Sequence, residues 1–169
     1  MNTELNKTYT YNLFFRLLYS YGNVLITAIL LMYLIPMIGG MTGRLFEYFY
    51  AIALAFMILL FNFWFLRIWK TLPFTITLKD GVITGSNYFF SKKTVEIKVS
   101  EIVKLQGGVF DGKTRGMMMV ITAGSEIAFF HSISDGRNLL AYILSQVPRE
   151  LYDGVLGKLG QRKKKKDLK

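Results

Sequence analysis

The sequence contains no cysteine, only one histidine and three prolines among its 169 residues. Without cysteine there are no disulfides, thiolate metal ligands, palmitoylation or prenylation sites. A zinc site needs three or four ligands, so the lone His131 at the end of a strand-like stretch predicts a surface residue and no metal. The chain begins Met1-Asn2, so we expect no N-myristoylation. We therefore predict a protein without a cofactor that is not an enzyme.

Charge is also missing from two long stretches, Leu17–Gly43 and Tyr48–Leu66. About 20 apolar residues cover the roughly 30 Å hydrocarbon layer of a membrane, so each stretch is long enough to cross it. Two buried helices of a soluble core are the alternative, but the rest of this small chain could not cover two helices that are apolar on every side. We predict an N-terminal segment (residues 1–16) and a transmembrane helical hairpin (residues 17–70) with spans at about 18–40 and 46–66.

The basic residues around the two stretches predict the orientation of the hairpin. Lys7 and Arg16 precede it and two further basic residues, Arg67 and Lys70, follow it, whereas the short turn carries Arg44 beside an acidic neighbour. Because basic residues collect on the cytoplasmic side, we expect both termini to be cytoplasmic. The sequence thus predicts a two-span protein of the bacterial cytoplasmic membrane.

Few polar side chains interrupt the two spans. Asn23, Thr27 and Asn62 are candidate contacts between membrane helices, since an intramembrane Asn can hydrogen-bond a neighbouring helix for about 1 kcal/mol. Neither uncharged stretch contains an ionisable residue other than tyrosine, so the usual parts of a proton or ion pathway are missing.

After the hairpin the hydrophobic period changes to two, as in half-buried strands. PFTITLK, VITGS, TVEIKV, SEIVKL, GMMMVIT and EIAFF alternate or form short apolar runs, with Asp80-Gly81 as a hairpin turn. NLLAYILSQV then shows a helical apolar face formed by Leu139, Leu140, Ile143, Leu144 and Val147, and Pro148 ends it. These patterns predict a domain over residues 71–150 with six or seven antiparallel strands and one closing helix.

This order of segments resembles the bacterial pleckstrin-homology-like (PH-like) membrane proteins, with the YcxB-like group of paired-span proteins as a near neighbour. The resemblance rests on two spans followed by LPFTITLKDGVITGS, TVEIKVSEIVKLQGG and SISDGRNLLAYILSQV, over roughly residues 73–147. It implies a small, partly open antiparallel β-barrel capped by the C-terminal helix, and no particular ligand.

Three groups of basic residues are candidate contacts for anionic lipid. Lys92 and Lys93 lie in the turn between the second and third predicted strands; Lys113 and Arg115 lie in the glycine-rich GGVFDGKTRG, which lacks a Walker ending. A solvated turn and a long β-hairpin connection are the alternative interpretations of these two segments. The first hairpin turn offers only Lys79 beside Asp80, which argues against the basic cluster of phosphoinositide-binding PH domains.

The third group is the C-terminal tail (residues 151–169). Residues 158–169 carry seven Lys/Arg and one Asp/Glu, and the group consists of Arg162, Lys163, Lys164, Lys165 and Lys166. In a membrane-anchored chain such a run lies within reach of anionic lipid, and each positive charge near that surface contributes about 1 kcal/mol. A solvated tail and a nucleic-acid contact are the alternatives, but no nucleic-acid-binding motif accompanies the run.

The sequence therefore favours a membrane-anchored PH-like binding module that engages a protein partner or the lipid surface, with no nucleic acid. The partner is unidentified, and self-association stays open. The alternative is a structural accessory subunit that packs its hairpin against a larger membrane complex.

Overall fold

A computed structural model describes residues 7–89 and 91–167, with residues 162–167 described by their backbone alone. The helices are α1 (Leu13–Gly39), α2 (Leu45–Thr71), α3 (Gly136–Gln146) and α4 (Arg149–Asp167). The strands are β1 (Lys7–Thr10), β2 (Pro73–Lys79), β3 (Val82–Tyr88), β4 (Val95–Lys98), β5 (Lys104–Gln106), β6 (Met117–Ile121) and β7 (Glu126–Phe130). Short 3₁₀ turns occupy Val99–Glu101 and Gly108–Asp111.

α1 and α2 form the helical hairpin that the two uncharged stretches predict. Each has 27 residues, which at 1.5 Å per residue gives about 40 Å. By length and composition both helices are apolar enough to cross a membrane. They extend beyond the predicted spans because their ends continue into polar flanks. Asn12 caps α1 through its Oδ1, which accepts a hydrogen bond from Phe15 N at 3.0 Å, and Glu47 closes the turn by accepting from Thr42 N at 2.7 Å.

The strands form two antiparallel sheets, in the order β1-β2-β3-β4 and β5-β6-β7. Among the described residues the two sheets do not close into one barrel, in contrast to the partly open barrel that the resemblance implies. The tight turn at Asp80 and Gly81, both at positive φ, joins β2 to β3 as the sequence predicts. Six of the strands follow the hairpin, in agreement with the alternating segments.

β1 is the strand that the sequence did not predict. It precedes the hairpin, in the segment assigned to residues 1–16, yet it pairs with β2, which follows the hairpin, in the register Tyr9↔Ile76. Tyr9 and Tyr11 are buried in the core. Four residues are too few to show a clear alternation, especially because an apolar run follows directly. KTYT is recognised as a strand only through its pairing with β2.

The core lies between the two sheets and is closed by α3. Leu139, Ile143 and Val147 are buried there, whereas Leu140 and Leu144 are only partly buried. The predicted helical face is therefore present, and Leu139, Ile143 and Val147 form its most buried part. The last turns of α2 also belong to this core, since Ile68 and Leu72 are buried in it.

α4 replaces most of what the sequence indicated as a tail. It begins just after Pro148, a residue that can start a helix as well as end one, and it runs to Asp167. Val155 is buried in the core, with Leu151 and Leu159 packed beside it at helical spacing. The three apolar positions explain why this strongly charged segment packs on the domain.

Candidate functional site

The hairpin enters and leaves the domain at one edge of the four-stranded sheet. α1 starts just after β1 ends, and β2 starts just after α2 ends; there Tyr11 N donates a hydrogen bond to Phe74 O at 3.4 Å. β3 ends at this edge too, since Tyr88 pairs with Pro73. The described residues of the turn from β3 to β4, 89 and 91–94, therefore lie beside the base of the hairpin. We name this end of the sheet, where strands start or stop beside the helical hairpin, the hairpin-side edge.

The second sheet reaches the same edge through Phe130, the last residue of β7. Its ring stacks on Tyr19 of α1, with centroids 4.6 Å apart and planes 13° apart. The Tyr19 hydroxyl lies 2.9 Å from Ser132 Oγ, and Phe130 N donates to Tyr11 Oη at 2.7 Å. Met117, the first residue of β6, pairs with Phe130. The loop from β5 to β6, residues 107–116, consequently lies at the hairpin-side edge as well.

Phe89 fixes the β3–β4 turn between the two helices. Its ring lies 5.4 Å from Tyr21 of α1 and 5.1 Å from Trp69 of α2, measured between centroids. Trp69 Nε1 in turn donates to Tyr19 O at 3.1 Å, so the two helices are joined at the same level. Aromatic rings with one polar atom favour the interfacial layer of a membrane, and this group occupies the base of the hairpin.

On the α1 side of the turn is a cleft of about 470 Å³, which we name the α1 cleft. Its lining consists of Leu13, Arg16, Leu17, Ser20, Phe74, Asn87, Tyr88, Phe89, Ser91 and Lys92. Two of these residues, Arg16 and Lys92, are basic; both are exposed, and none of the described lining residues is acidic. The Arg16 guanidinium lies over the Phe74 ring, 5.5 Å from its centroid, which holds it at the mouth of the cleft.

On the α2 side is a second cleft of about 320 Å³, the α2 cleft. It is lined by Leu66, Trp69, Lys70, Tyr88, Phe89, Ser91 and Lys93. Lys93 Nζ lies over the Tyr88 ring at 5.3 Å, and burial raises the pKa of Tyr88 to about 12, so its phenol stays neutral. Both clefts therefore pair one basic residue from a helix with one from the β3–β4 turn.

The glycine-rich loop uses its own backbone N–H groups internally. Gly107 N donates to Asp111 Oδ2 at 2.7 Å, and Lys113 N donates to Gly108 O at 2.9 Å. The carboxylate of Asp111 thus takes one of the donors that a bound phosphate would need. The loop is a β-hairpin connection, one of the two interpretations of its sequence, while the side chains of Lys113 and Arg115 are exposed at the hairpin-side edge.

α4 leads toward the same edge. Lys158 Nζ lies 2.8 Å from Asp111 Oδ1, so the helix meets the β5–β6 loop at this residue. The helical backbone continues for nine residues beyond Lys158, to Asp167. The side chains of Arg162 and of Lys163, Lys164, Lys165 and Lys166 lie outside the described residues. Their backbone positions nevertheless follow directly on the contact with the hairpin-side edge.

The first hairpin turn of the domain lies at the opposite edge. β2 runs from Pro73, beside α2, to Lys79, six residues further along an extended chain, or about 20 Å. Lys79 therefore points to a different end of the domain from the helical hairpin.

The three polar residues of the spans contact one another inside the hairpin. Asn23 Nδ2 donates to Asn62 Oδ1 at 3.2 Å, and Asn62 Nδ2 donates to Thr27 Oγ1 at 3.0 Å. These hydrogen bonds join α1 to α2. The polar side chains that suggested a contact with another membrane helix therefore hydrogen-bond one another within this chain.

The lone histidine and the acidic side chains are the remaining candidates for metal chemistry. His131 is exposed just after β7. Within the residues that the structure describes, no group of three or more acidic or histidine side chains could hold a metal ion. Comparisons with protein-family models, curated proteins and solved structures found no match.

Sequence reasoning did not single out Arg16 or Lys70 as site residues. Both counted only as flanking charges that orient the hairpin. The sequence feature that could have identified them is their closeness to the uncharged stretches. Each lies within about one helical turn of a span end, where side chains of a membrane protein face lipid headgroups. What the sequence could not provide is the position of the β3–β4 turn between them.

Proposed function

We propose that this protein is a membrane-anchored, non-enzymatic binding module of PH-like type, whose hairpin-side edge binds the anionic surface of the membrane that the hairpin crosses. The hairpin holds the domain at the bilayer, with both termini on the domain's side. On the basic-flank rule that side is the cytoplasm.

One observation carries the proposal: the basic groups separated along the sequence converge on one edge. The β3–β4 turn brings Lys92 and Lys93, and the β5–β6 loop brings Lys113 and Arg115. α4 runs past that loop toward the Arg162–Lys166 run. Each positive charge close to an anionic surface contributes about 1 kcal/mol, and the contribution fades over a Debye length of about 10 Å. Because the hairpin anchors this edge beside the bilayer, we expect the charges of the β3–β4 turn and the β5–β6 loop to lie close enough to the surface to contribute.

The test uses the full chain in lipid nanodiscs. The sequence lacks cysteine, so Thr114→Cys gives one attachment point for a polarity-sensitive fluorophore between Lys113 and Arg115. We expect a blue shift of its emission when phosphatidylglycerol is added to phosphatidylcholine discs. Salt approaching 1 M, where the Debye length is about 3 Å, should reverse the shift.

Two double substitutions test whether the blue shift depends on charges at the hairpin-side edge or only on the net charge of the protein. Lys92→Gln with Lys93→Gln should reduce the blue shift, whereas Lys79→Gln with Lys104→Gln removes the same charge from the opposite edge and should leave it. The same probe also tests the basic run. Its blue shift is measured after Lys163→Gln, Lys164→Gln, Lys165→Gln and Lys166→Gln are combined. Identical emission of the labelled Thr114→Cys protein, without further substitutions, in neutral and anionic discs would contradict the proposal.

The accessory-subunit alternative loses its main argument. It relied on Asn23, Thr27 and Asn62 to bind another membrane helix, and these side chains hydrogen-bond one another across the hairpin. We therefore favour the lipid surface as the primary partner.

A further inference from the structure

We propose that the α1 cleft is a discrete binding site for the phosphate of one anionic phospholipid. The inference rests on the proposed function and adds to it: beyond a diffuse attraction of the whole edge, one headgroup would occupy one defined place. The cleft lies between the first two turns of α1 and the β3–β4 turn.

The cations of the cleft suit a phosphate. Arg16 presents a planar guanidinium with paired N–H donors, which matches phosphate oxygens, and Lys92 adds a second positive charge from the facing turn. Within the described part of the chain neither residue makes an ion pair, so their charges are not already neutralised. Ser20, Asn87 and Ser91 supply further hydrogen-bonding groups along the wall.

The apolar lining indicates a lipid rather than a free anion. Leu13 and Leu17 lie one helical turn apart on α1, are 72% and 51% exposed, and border the cleft on the side of the hairpin. Acyl chains can follow this face of α1 into the bilayer while the phosphate stays beside Arg16. A free phosphate gains nothing from these leucines. The chemistry shared by both ligands is the phosphate, and the apolar face distinguishes them.

The α2 cleft gives a built-in comparison. It also has two positive charges, on Lys70 and Lys93, and lies on the other side of the same turn. However, Lys93 already lies over the Tyr88 ring, and no guanidinium lines this cleft. It is also the smaller of the two, at about 320 Å³ against about 470 Å³. A site that depends on Arg16 should therefore respond differently from its neighbour.

Native mass spectrometry of the full chain in a neutral detergent tests the site. Phosphatidylglycerol is titrated in one arm, phosphatidylcholine in a second, and inorganic phosphate competes in a third. We expect one phosphatidylglycerol to bind before any others and phosphatidylcholine to bind more weakly. Inorganic phosphate should displace the lipid only at a large excess. Arg16→Gln with Lys92→Gln should weaken the first binding step about 10- to 30-fold, as the loss of two surface charges implies.

The matched variant is Lys70→Gln with Lys93→Gln, which removes two charges next to the α2 cleft. If the first binding step weakens only in the α1 pair, the discrete site is supported. Equal weakening in both pairs means diffuse attraction: the proposed function stands and this site is overturned. Displacement by equimolar inorganic phosphate overturns the lipid assignment. Equal binding of both lipids to the unsubstituted protein removes the site and the proposed function together.

Discussion

Lys158 Nζ of α4 lies 2.8 Å from Asp111 Oδ1 of the β5–β6 loop, and the second oxygen of the same carboxylate accepts a hydrogen bond from Gly107 N. One side chain thus organises the loop and holds the helix that carries the basic run. This link depends on the ionisation of Asp111.

Acid should loosen α4. The hydrogen bond from Lys158, with that from Gly107 N, holds the pKa of Asp111 below its usual value. A lowered folded-state pKa contributes stability above the unfolded value of about 3.9, and this contribution is lost as the pH falls through the folded pKa. The protection factors of residues 149–159, which correct hydrogen exchange for its intrinsic pH dependence, should therefore fall below about pH 4. In Asp111→Asn the protection factors should already be lower at pH 7 and change less with pH, whereas Asp153→Asn, exposed on the same helix, should behave like the unsubstituted chain.

Gly112→Ala should displace α4 from the loop. Gly112 has φ +71°, and a Cβ there would lie 2.8 Å from Lys158 O, so both the loop and the helix must move. We expect a lower melting temperature and easier proteolysis of α4 in detergent. Gly154→Ala is the control, because a Cβ there meets nothing within 4 Å and alanine favours a helix. If the two variants melt at the same temperature, α4 does not pack on this loop.

Leu139→Ala should destabilise the domain by about 2–5 kcal/mol, as other buried leucine-to-alanine changes do. Leu139 on α3 is fully buried in the core, whereas Leu156 on α4 is 45% exposed. Leu156→Ala, the same change at a surface position, should cost much less. The comparison is made by thermal unfolding of the full chain in detergent, and equal losses would contradict the position of α3 over the core.

The orientation of the hairpin can be read with single cysteines in a chain that has none. Thr42→Cys lies in the turn between α1 and α2, and Ala123→Cys in the exposed turn between β6 and β7. In intact cells an impermeant thiol reagent should label the first and not the second. Ala123→Cys should react once the membrane is permeabilised. The reverse pattern in intact cells would place the domain outside.

Local patterns in the sequence predicted most of the elements. The uncharged stretches predicted α1 and α2, the alternation in PFTITLK predicted β2, and the short apolar run EIAFF predicted β7. β1 was not predicted, since four residues carry no clear period and its partner lies beyond the hairpin. α4 was obscured by its lysines, which outnumber the three apolar positions that dock it.

The candidate site was only half visible for a related reason. Lys92 and Lys93 could be proposed from charge alone, but their neighbours in the clefts come from α1 and α2, far away in sequence. The contact that joins them is Phe89 between Tyr21 and Trp69. Nothing local to Phe89 specifies that packing, so the clefts could not be derived before the fold.

The pairing of β1 with β2 has a consequence for biogenesis. β1 is synthesised first, but its partner strand appears only after both helices have been made. A chain in which just one helix inserted would leave β1 and β2 on opposite faces of the bilayer, with the apolar faces of Tyr9 and Ile76 uncovered. The four-stranded sheet can therefore be completed by β1 only after the whole hairpin has inserted, so the β1–β2 pairing reports correct insertion.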